Sequence, residues 1–467
     1  MQDFSNVGLP IIWTGDGIVD AIYYAIMTLW IFIGIAIICD EFFQPSLEAI
    51  SEALGLSADV AGATFLAAGS SAPELFTATA DAFGPAASVG LGTIIGSAMF
   101  NILIIVALSA AIAAQSGASL DIDWRPVTRD ASFYVSSIIL LYIFFFDGKV
   151  YWWEGLIMTG TYMLYILFMT YNEQFLAKMD EWAGTAVVAP SPGSRDTEEG
   201  AKELELAAQA LGEAESGEAN VQAGSTPPPD AVPAAAEEGS DAEKEKEEEE
   251  EDRGDWDRFG FPEGEEATPL NLILHVLSLP FIFLFTFTIP DCGYEWFTSK
   301  FEKVYWVSFT MSILWIGLLC HYMVEYSLSL ACILKIPPII VGLLVLSVGT
   351  SVPDAIGSMI AAREGEANMA IANAIGSNVF DVLLGLGFPW FLAGVTLNEF
   401  KPTSVCKDGI EKWVFVLLFT VGLFYVVLKA NQWKMNGDLG KALCGLYGLF
   451  FVFVAVSPLI PGLKDNC

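Results

Sequence analysis

The stretch Gly-Ser-Ser-Ala-Pro-Glu at 69–74 is matched, 280 positions further along, by Gly-Thr-Ser-Val-Pro-Asp at 349–354. A second pair keeps that offset, with Gly-Ser-Ala-Met-Phe-Asn at 96–101 and Gly-Ser-Asn-Val-Phe-Asp at 376–381. These stretches lie in long apolar runs, where an ionisable side chain is expensive and by default marks a functional site. A repeat that places acids and hydroxyls at equivalent depths in two halves is typical of a secondary transporter with an ion site near the membrane midplane.

The composition points to a membrane protein. The chain has 467 residues, of which 54% are hydrophobic, and its mean hydropathy is +0.53. Its apolar runs reach the length of about 20 residues that a bilayer requires. The net charge of −35 disfavours nucleic acid as a partner, but much of it lies in one polar segment that includes the acidic run 247–252. This charge therefore describes a loop rather than the fold.

Apolar periodicity predicts five helices before a long polar gap and six after it. The first five are at about 18–39, 58–82, 86–113, 130–147 and 151–172. The others are at about 271–290, 303–329, 334–362, 368–396, 409–430 and 440–460. The gap at 173–267 is rich in Ala, Glu, Pro, Gly and Ser and lacks the apolar content to fold, so we expect it to be a disordered acidic loop.

Two further features of composition have plain interpretations. No lysine or arginine precedes Arg125, so the run at 18–39 lacks the basic flank of a cleavable signal and is expected to be a retained membrane helix. The seven cysteines show no CxxC spacing, which favours packing over a metal or redox role.

Eleven helices conflict with an inverted repeat, which needs an odd number of spans between the two motif pairs. The weakest candidate is 271–290, which is short and carries His275, Pro280 and Pro290. We hypothesise that it lies at the interface or only dips into the membrane, leaving ten spans as five plus five. With ten spans, one end of the bundle carries more basic residues than the other, and this end, with the loop, is expected to be cytoplasmic. Its basic residues are Arg125, Arg129, Lys178, Arg363, Lys434 and Lys441, and those at the other end are Lys149, Lys401 and Lys407.

Each motif offers oxygen ligands at one depth. Pro73 and Pro353 cannot donate to the helix ladder and free a carbonyl four residues back, which is tolerated in a membrane where it lines a polar cavity. The hydroxyls three and four residues before each acid are expected to share its helix face; they belong to Ser70, Ser71, Thr350 and Ser351. Hydrogen bonding between helices is an alternative role for these hydroxyls.

The second stretch of each copy adds the Asn101 amide and a third acid, Asp381. Its Gly and Ser are expected to permit close helix approach. No His or Cys joins the set, and all-oxygen sites suit hard cations such as Na⁺, K⁺ and Ca²⁺. Buried charge must be neutralised, and three ionised acids would be balanced by one Ca²⁺ plus one monovalent cation, or by several Na⁺.

These motifs resemble the paired repeats of the sodium/calcium exchanger superfamily. The Asp that ends Gly-Ser-Asn-Val-Phe-Asp resembles the potassium-dependent branch, since the potassium-independent branch has Asn there. The similarity extends to 124–134 and 387–390. The resemblance implies that Glu74 and Asp354 are the central Ca²⁺ and Na⁺ ligands and that Asp381 serves K⁺. It implies supporting roles for Ser70, Ser71, Asn101, Thr350 and Ser351.

We therefore expect an all-α polytopic membrane protein of about ten transmembrane helices in two inverted five-helix repeats. The expected divisions are 1–172 with a first repeat at 58–113, the cytoplasmic loop 173–267, and 268–467 with a second repeat at 334–396. The expected activity is antiport of Na⁺ against Ca²⁺ with K⁺ in a lipid bilayer, most simply the plasma membrane, without a cofactor.

Two alternatives remain open from sequence. One is a potassium-independent or H⁺-driven divalent cation antiporter, since buried carboxylates allow proton binding. Another is a cation channel, although channels usually present rings of ligands from several subunits. An enzyme is disfavoured, because the chain shows neither a nucleophile–base pair nor a phosphate-binding loop.

Overall fold

The computed structural model describes residues 17–54, 67–84, 89–115, 120–183, 269–290, 304–363, 365–397, 399–404 and 407–457. The chain divides into two compact units. One comprises Met1–Thr170 with Phe261–Cys467, and the other comprises Tyr171–Gly260. The first unit holds both motif pairs.

The first half is almost wholly helical. Its elements are α1 (Gly17–Ile38), a π-helical turn (Cys39–Phe43), α2 (Gln44–Ala53), α3 (Ala67–Ser70), α4 (Ala72–Phe83), α5 (Val89–Phe100), a π-helical turn (Asn101–Ile105), α6 (Val106–Gln115), β1 (Leu120–Asp121), α7 (Trp124–Phe145), β2 (Lys149–Val150) and α8 (Trp152–Ala183). Helix α8 continues eleven residues into the segment that the sequence predicts as a disordered loop from 173 onward. The rest of that predicted loop lies outside the described residues.

The second half follows a similar order after one additional helix, α9, at its start. Its elements are α9 (Pro269–Thr288), α10 (Val304–Leu334), α11 (Pro338–Val341), a π-helical turn (Gly342–Leu346), α12 (Ser347–Thr350), α13 (Val352–Arg363), α14 (Ala367–Phe380), a π-helical turn (Asp381–Leu386), α15 (Gly387–Thr396), β3 (Thr403–Ser404), α16 (Lys407–Ala430), β4 (Lys434–Met435) and α17 (Gly437–Val456).

The all-α membrane architecture is confirmed. Within the described ranges, eight helices are long and apolar enough to cross a membrane, and a ninth span results if the bent pair Pro338–Thr350 and Val352–Arg363 is counted. Polar caps start two of the helices: the Asp123 side chain accepts from Arg125 N at 3.0 Å, and that of Asn436 accepts from Leu439 N at 3.0 Å.

The two halves are inverted relative to each other. Helix α1 corresponds in the repeat to α10, and the two run antiparallel, with Tyr24 against Tyr326 and Phe43 against Phe309. Helices α7 and α16 are equally antiparallel: Thr128 meets Tyr425, and Tyr142 meets Phe415. Equivalent helices of parallel repeats would run in the same direction, so these contacts support the five-plus-five inverted arrangement.

The pairing of the short strands shows which basic residues lie at the same end of the bundle. Strand β1 pairs with β4, Asp121 opposite Lys434, and Asp123 N donates to Asn368 Oδ1. These contacts place the chain near Arg125, Arg363 and Lys434 at one end. Strand β2 pairs with β3, Lys149 opposite Ser404, which groups the chain near Lys149 and Lys401. This is the grouping that the ten-span interpretation requires.

Helix α9 is the element whose placement the sequence left open. It runs parallel to α1, since Trp30 Nε1 donates to Leu277 O and Phe42 packs against Phe285 further along both helices. Its length and composition satisfy the requirements of a membrane span. In a five-plus-five inverted repeat, however, the first and fifth helices run in the same direction, so α9 also runs the same way as α8.

A crossing α9 therefore needs the chain at 184–268 to begin and end on opposite sides of the membrane. That sequence contains no apolar run of about 20 residues. The hypothesis that 271–290 lies at the interface or dips into the membrane thus remains a prediction.

We expect cysteines placed at Asn271 and Asp291 to react with a membrane-impermeant maleimide from the same side. The reason is that a segment which enters and leaves at one face exposes both its ends there. The measurement is labelling from either side of sealed vesicles, in a variant without other reactive thiols. Cysteines at Arg125 and Lys149 report the two faces. Labelling of the two α9 ends from opposite faces would refute the ten-span arrangement.

Candidate functional site

In each Pro-containing motif, the helix is interrupted at the serine that lies three residues before the acid. Ser71 separates α3 from α4 with φ −93° and ψ 11°, and Ser351 separates α12 from α13 with φ −87° and ψ 8°. The second break bends the chain by 46°. Because Pro73 and Pro353 provide no N–H, the carbonyls of Gly69 and Gly349 lose their helical donor. The breaks therefore bring backbone oxygens to the depth of the acids.

The second motif of each copy changes helix type at its last residue. A π-helical turn begins at Asn101 in the first half and at Asp381 in the second. Single π-helical turns inside α-helices occur frequently at functional sites. The two π-helical turns begin at equivalent positions of the repeat. Asn101 and Asp381 therefore occupy related places around the site.

The motif residues bind across the repeats rather than along their own helix. Ser351 Oγ donates to Glu74 Oε1 at 3.2 Å, and Asn101 Nδ2 donates to Asp354 Oδ2 at 3.0 Å. Ser70 also interacts with Asp354. The prediction that each hydroxyl shares a helix face with the acid of its own motif is wrong, because the helix breaks between them. The hydroxyls turn instead toward the acids of the opposite repeat.

The remaining predicted residues complete the same site. Thr350 interacts with Glu74, and Ser71 interacts with Asp381. Glu74, Asp354 and Asp381 are each 0% exposed. All eight predicted site residues therefore converge from both repeats.

Sequence reasoning missed three further contributors. Asn101 Nδ2 also lies 3.0 Å from Ser377 Oγ and 3.1 Å from Asn378 Oδ1, and Ser97 interacts with Asp381. The serines occupy equivalent places in the two Gly-Ser pairs, so the repeat itself carried the signal for them. Asn378 breaks the repeat, since its equivalent is Ala98, and so nothing in the repeat pointed to it.

Several buried oxygens of the site have no hydrogen-bond partner in the described part of the chain. They are Ser71 Oγ, Glu74 Oε2, Asn101 Oδ1, Asp354 Oδ1 and both carboxylate oxygens of Asp381. Leaving a polar group buried and unsatisfied costs about 1–3 kcal/mol, and more when it is charged. This set has the donor chemistry of a hard-cation site.

The acids do not form a compact metal cluster. Across the described residues, no three acidic, histidine or cysteine side chains are placed to hold one metal ion together. A cation in this site must therefore combine one or two carboxylates with hydroxyl, amide or carbonyl oxygens, which matches the mixed donors around each acid.

The two motif regions pack closely against each other at Gly96. An added Cβ at Gly96 would lie 2.5 Å from Leu343 O and 2.7 Å from Ser347 Cβ. An added Cβ at Gly376, its repeat equivalent, would meet no atom within 4 Å. The prediction of close helix approach is thus confirmed for the first copy and wrong for the second.

This asymmetry predicts different tolerance at equivalent positions. We expect Gly96→Ala to lower the apparent melting temperature of the purified protein by about 4 °C, because overpacking costs about 1–3 kcal/mol. The matched Gly376→Ala should leave it unchanged. Size-exclusion chromatography after heating measures both. An equal drop in melting temperature in the two variants would contradict the difference in packing between Gly96 and Gly376.

The inverted halves and the shared buried oxygen site define a membrane transporter of the secondary, ion-coupled class. Comparison with known proteins shows the family to which the chain belongs. The family described as "Sodium/calcium exchanger protein" matches residues 24–171 and 304–456. The chain belongs to this family, whose members are cation/calcium antiporters rather than enzymes.

Its relatives include sodium/potassium/calcium exchangers. The chain is 33% identical over 535 residues to "Sodium/potassium/calcium exchanger 2" of Gallus gallus, covering 96% of this chain and 78% of that protein. It is also 33% identical to "Sodium/potassium/calcium exchanger 4" of Homo sapiens, covering 91% of this chain and 79% of that protein.

Among solved structures, the crystal structure of the H⁺/Ca²⁺ exchanger CAX aligns with 95% of this chain and 83% of its own. The TM-score is 0.52 and the sequence identity is 12%. At this identity the likeness concerns the fold alone.

Proposed function

We propose that the chain exchanges Na⁺ for Ca²⁺ together with K⁺ across a membrane, by alternating access to the site shared between its repeats. The observation that carries the proposal is the set of three fully buried acids with unused oxygens, held by residues of the opposite repeat. The names of the relatives, which are sodium/potassium/calcium exchangers, give the ion set.

In this proposal Glu74 and Asp354 are the principal Ca²⁺ and Na⁺ ligands. Each has one oxygen held by the opposite repeat and one oxygen without a partner, which is available to a cation. Ser70, Ser71, Thr350 and Ser351 supply hydroxyl oxygens, and Asn101 orients Asp354.

Asp381 serves K⁺. Ser71 and Ser97 interact with this carboxylate, but neither of its oxygens forms a hydrogen bond of standard geometry within the described residues, so it has more unsatisfied oxygens than the other two acids. With all three acids ionised, Ca²⁺ and K⁺ together neutralise a charge of −3, as do several Na⁺. The two sets of ions therefore compete for the same carboxylates.

Competition at one site explains the coupling. An empty site leaves unpaired buried charge, which is expensive, so the conformational change without cargo is slow. Movement of one helix bundle against the other then alternates access to the two sides. The membrane is expected to be the plasma membrane, with the segment after α8 on the cytoplasmic side.

The test is Ca²⁺ uptake into Na⁺-loaded vesicles that contain the purified protein, with external K⁺ or an impermeant organic cation. Uptake that requires internal Na⁺ and rises with K⁺ supports the proposal. Uptake that is indifferent to K⁺ contradicts the role of K⁺. Uptake driven by a proton gradient and not by Na⁺ replaces the proposal with H⁺-driven antiport.

A further inference from the structure

A buried tyrosine outside both motif pairs lies against the site. Tyr134 belongs to α7, which packs against α14, the helix that leads into Asp381. Its side chain is 0% exposed, and its hydroxyl has no hydrogen-bond partner within the described chain. A buried phenol normally finds a partner for its hydroxyl, so this one calls for an explanation.

Asp381 interacts electrostatically with this tyrosine. Both carboxylate oxygens of Asp381, although Ser71 and Ser97 interact with them, form no hydrogen bond of standard geometry within the described residues. The Tyr134 hydroxyl and the Asp381 carboxylate are thus two buried groups that interact without a hydrogen bond between them, where α7 contacts the π-helical turn that begins at Asp381.

Two further aromatic side chains lie beside Asp381. Tyr162 of α8 packs edge-on against Phe380, the residue before Asp381, with ring centroids 5.3 Å apart. Tyr162 is 3% exposed. Because Tyr134 is 0% exposed, bulk solvent does not satisfy its hydroxyl, and its oxygen is available to a bound ion.

We propose that Tyr134 is a specificity-determining residue whose hydroxyl oxygen completes the shell of the monovalent cation held at Asp381. The inference rests on the proposed function, because it assigns a further ligand to the same site. A neutral oxygen adds coordination without adding charge, so it favours a singly charged ion beside a single carboxylate. The number and field strength of such neutral dipoles are one recognised source of selectivity between K⁺ and Na⁺.

Tyr134→Phe tests this assignment, since it removes one oxygen and retains the ring. In the vesicle assay we expect the K⁺ concentration for half-maximal Ca²⁺ uptake to rise about tenfold. The half-saturating concentration of Ca²⁺ should change less than about twofold, because Glu74 and Asp354 keep their partners. Tyr142→Phe is the matched control: Tyr142 lies on the same helix, and its ring contacts Phe146 and Phe415 instead.

A binding measurement separates ion recognition from transport. Added K⁺ should raise the melting temperature of the detergent-purified wild type, and Tyr134→Phe should need about tenfold more K⁺ for the same rise. An unchanged K⁺ requirement in both assays overturns the proposal, as does an equal loss of response to all three ions. Absence of K⁺ dependence in the wild type would instead count against the proposed function, so the two failures are distinguishable.

Discussion

Glu74→Gln is expected to reduce Na⁺-driven Ca²⁺ uptake by at least about a hundredfold. The substitution keeps the size of the side chain and an oxygen that can accept from Ser351 Oγ. It removes the negative charge at a position that is 0% exposed. In a low-dielectric site the attraction between a carboxylate and a divalent cation is worth several kcal/mol, and a neutral amide recovers only a part of it.

The measurement is initial uptake into Na⁺-loaded vesicles, normalised to the monodisperse protein recovered. Asp81→Asn is the matched control, because Asp81 is a buried acid on the same helix with a structural partner, accepting from Val89 N at 3.3 Å. We expect this control to retain most of the transport. Retention of more than about a third of the uptake by Glu74→Gln would show that another group holds Ca²⁺.

The membrane fold could be predicted from the sequence because its causes are local. Long apolar runs specify helices, and two motif pairs that share one 280-residue offset specify two equivalent halves. The acids could be located for the same reason, since an ionisable group within an apolar run has few roles other than binding. The direction of the halves needed contacts such as Tyr24 against Tyr326.

The partners of each acid could not be predicted, because they come from the other end of the chain. Ser351 lies 277 residues from Glu74, and Asn101 lies 253 residues from Asp354. Helical spacing suggested that each hydroxyl serves its own acid. The break at each serine removes that spacing, and only the inversion of the halves shows which acid a hydroxyl meets.

Structural differences between the two copies of the repeat could not be predicted from the sequence either. Gly96 and Gly376 occupy equivalent positions in the two Gly-Ser pairs, but only Gly96 faces a neighbouring backbone. The π-helical turns at Asn101 and Asp381 and the placement of Tyr134 depend on packing between helices. Such features are properties of the assembled bundle, so the residue pattern of a single helix does not predict them.

Asp381→Asn is expected to abolish most of the K⁺ dependence of Ca²⁺ uptake while some Na⁺-driven exchange remains. The amide cannot balance a monovalent cation, so the charge at the site falls from −3 to −2, which Ca²⁺ neutralises alone. It also matches the residue at the equivalent position of the first repeat, Asn101, which serves as a hydrogen-bond donor. Glu74 and Asp354 keep both their charges and their cross-repeat partners.

The assay compares uptake with and without external K⁺ in the variant and in the wild type. Asp438→Asn serves as the control, because Asp438 is an exposed acid paired with Lys441 at 3.3 Å, and removal of its charge should leave the K⁺ response intact. An unchanged K⁺ requirement in Asp381→Asn would mean that the three acids are not all ionised when cations bind. In that case the balance of charge lies between Glu74 and Asp354, and K⁺ binds elsewhere.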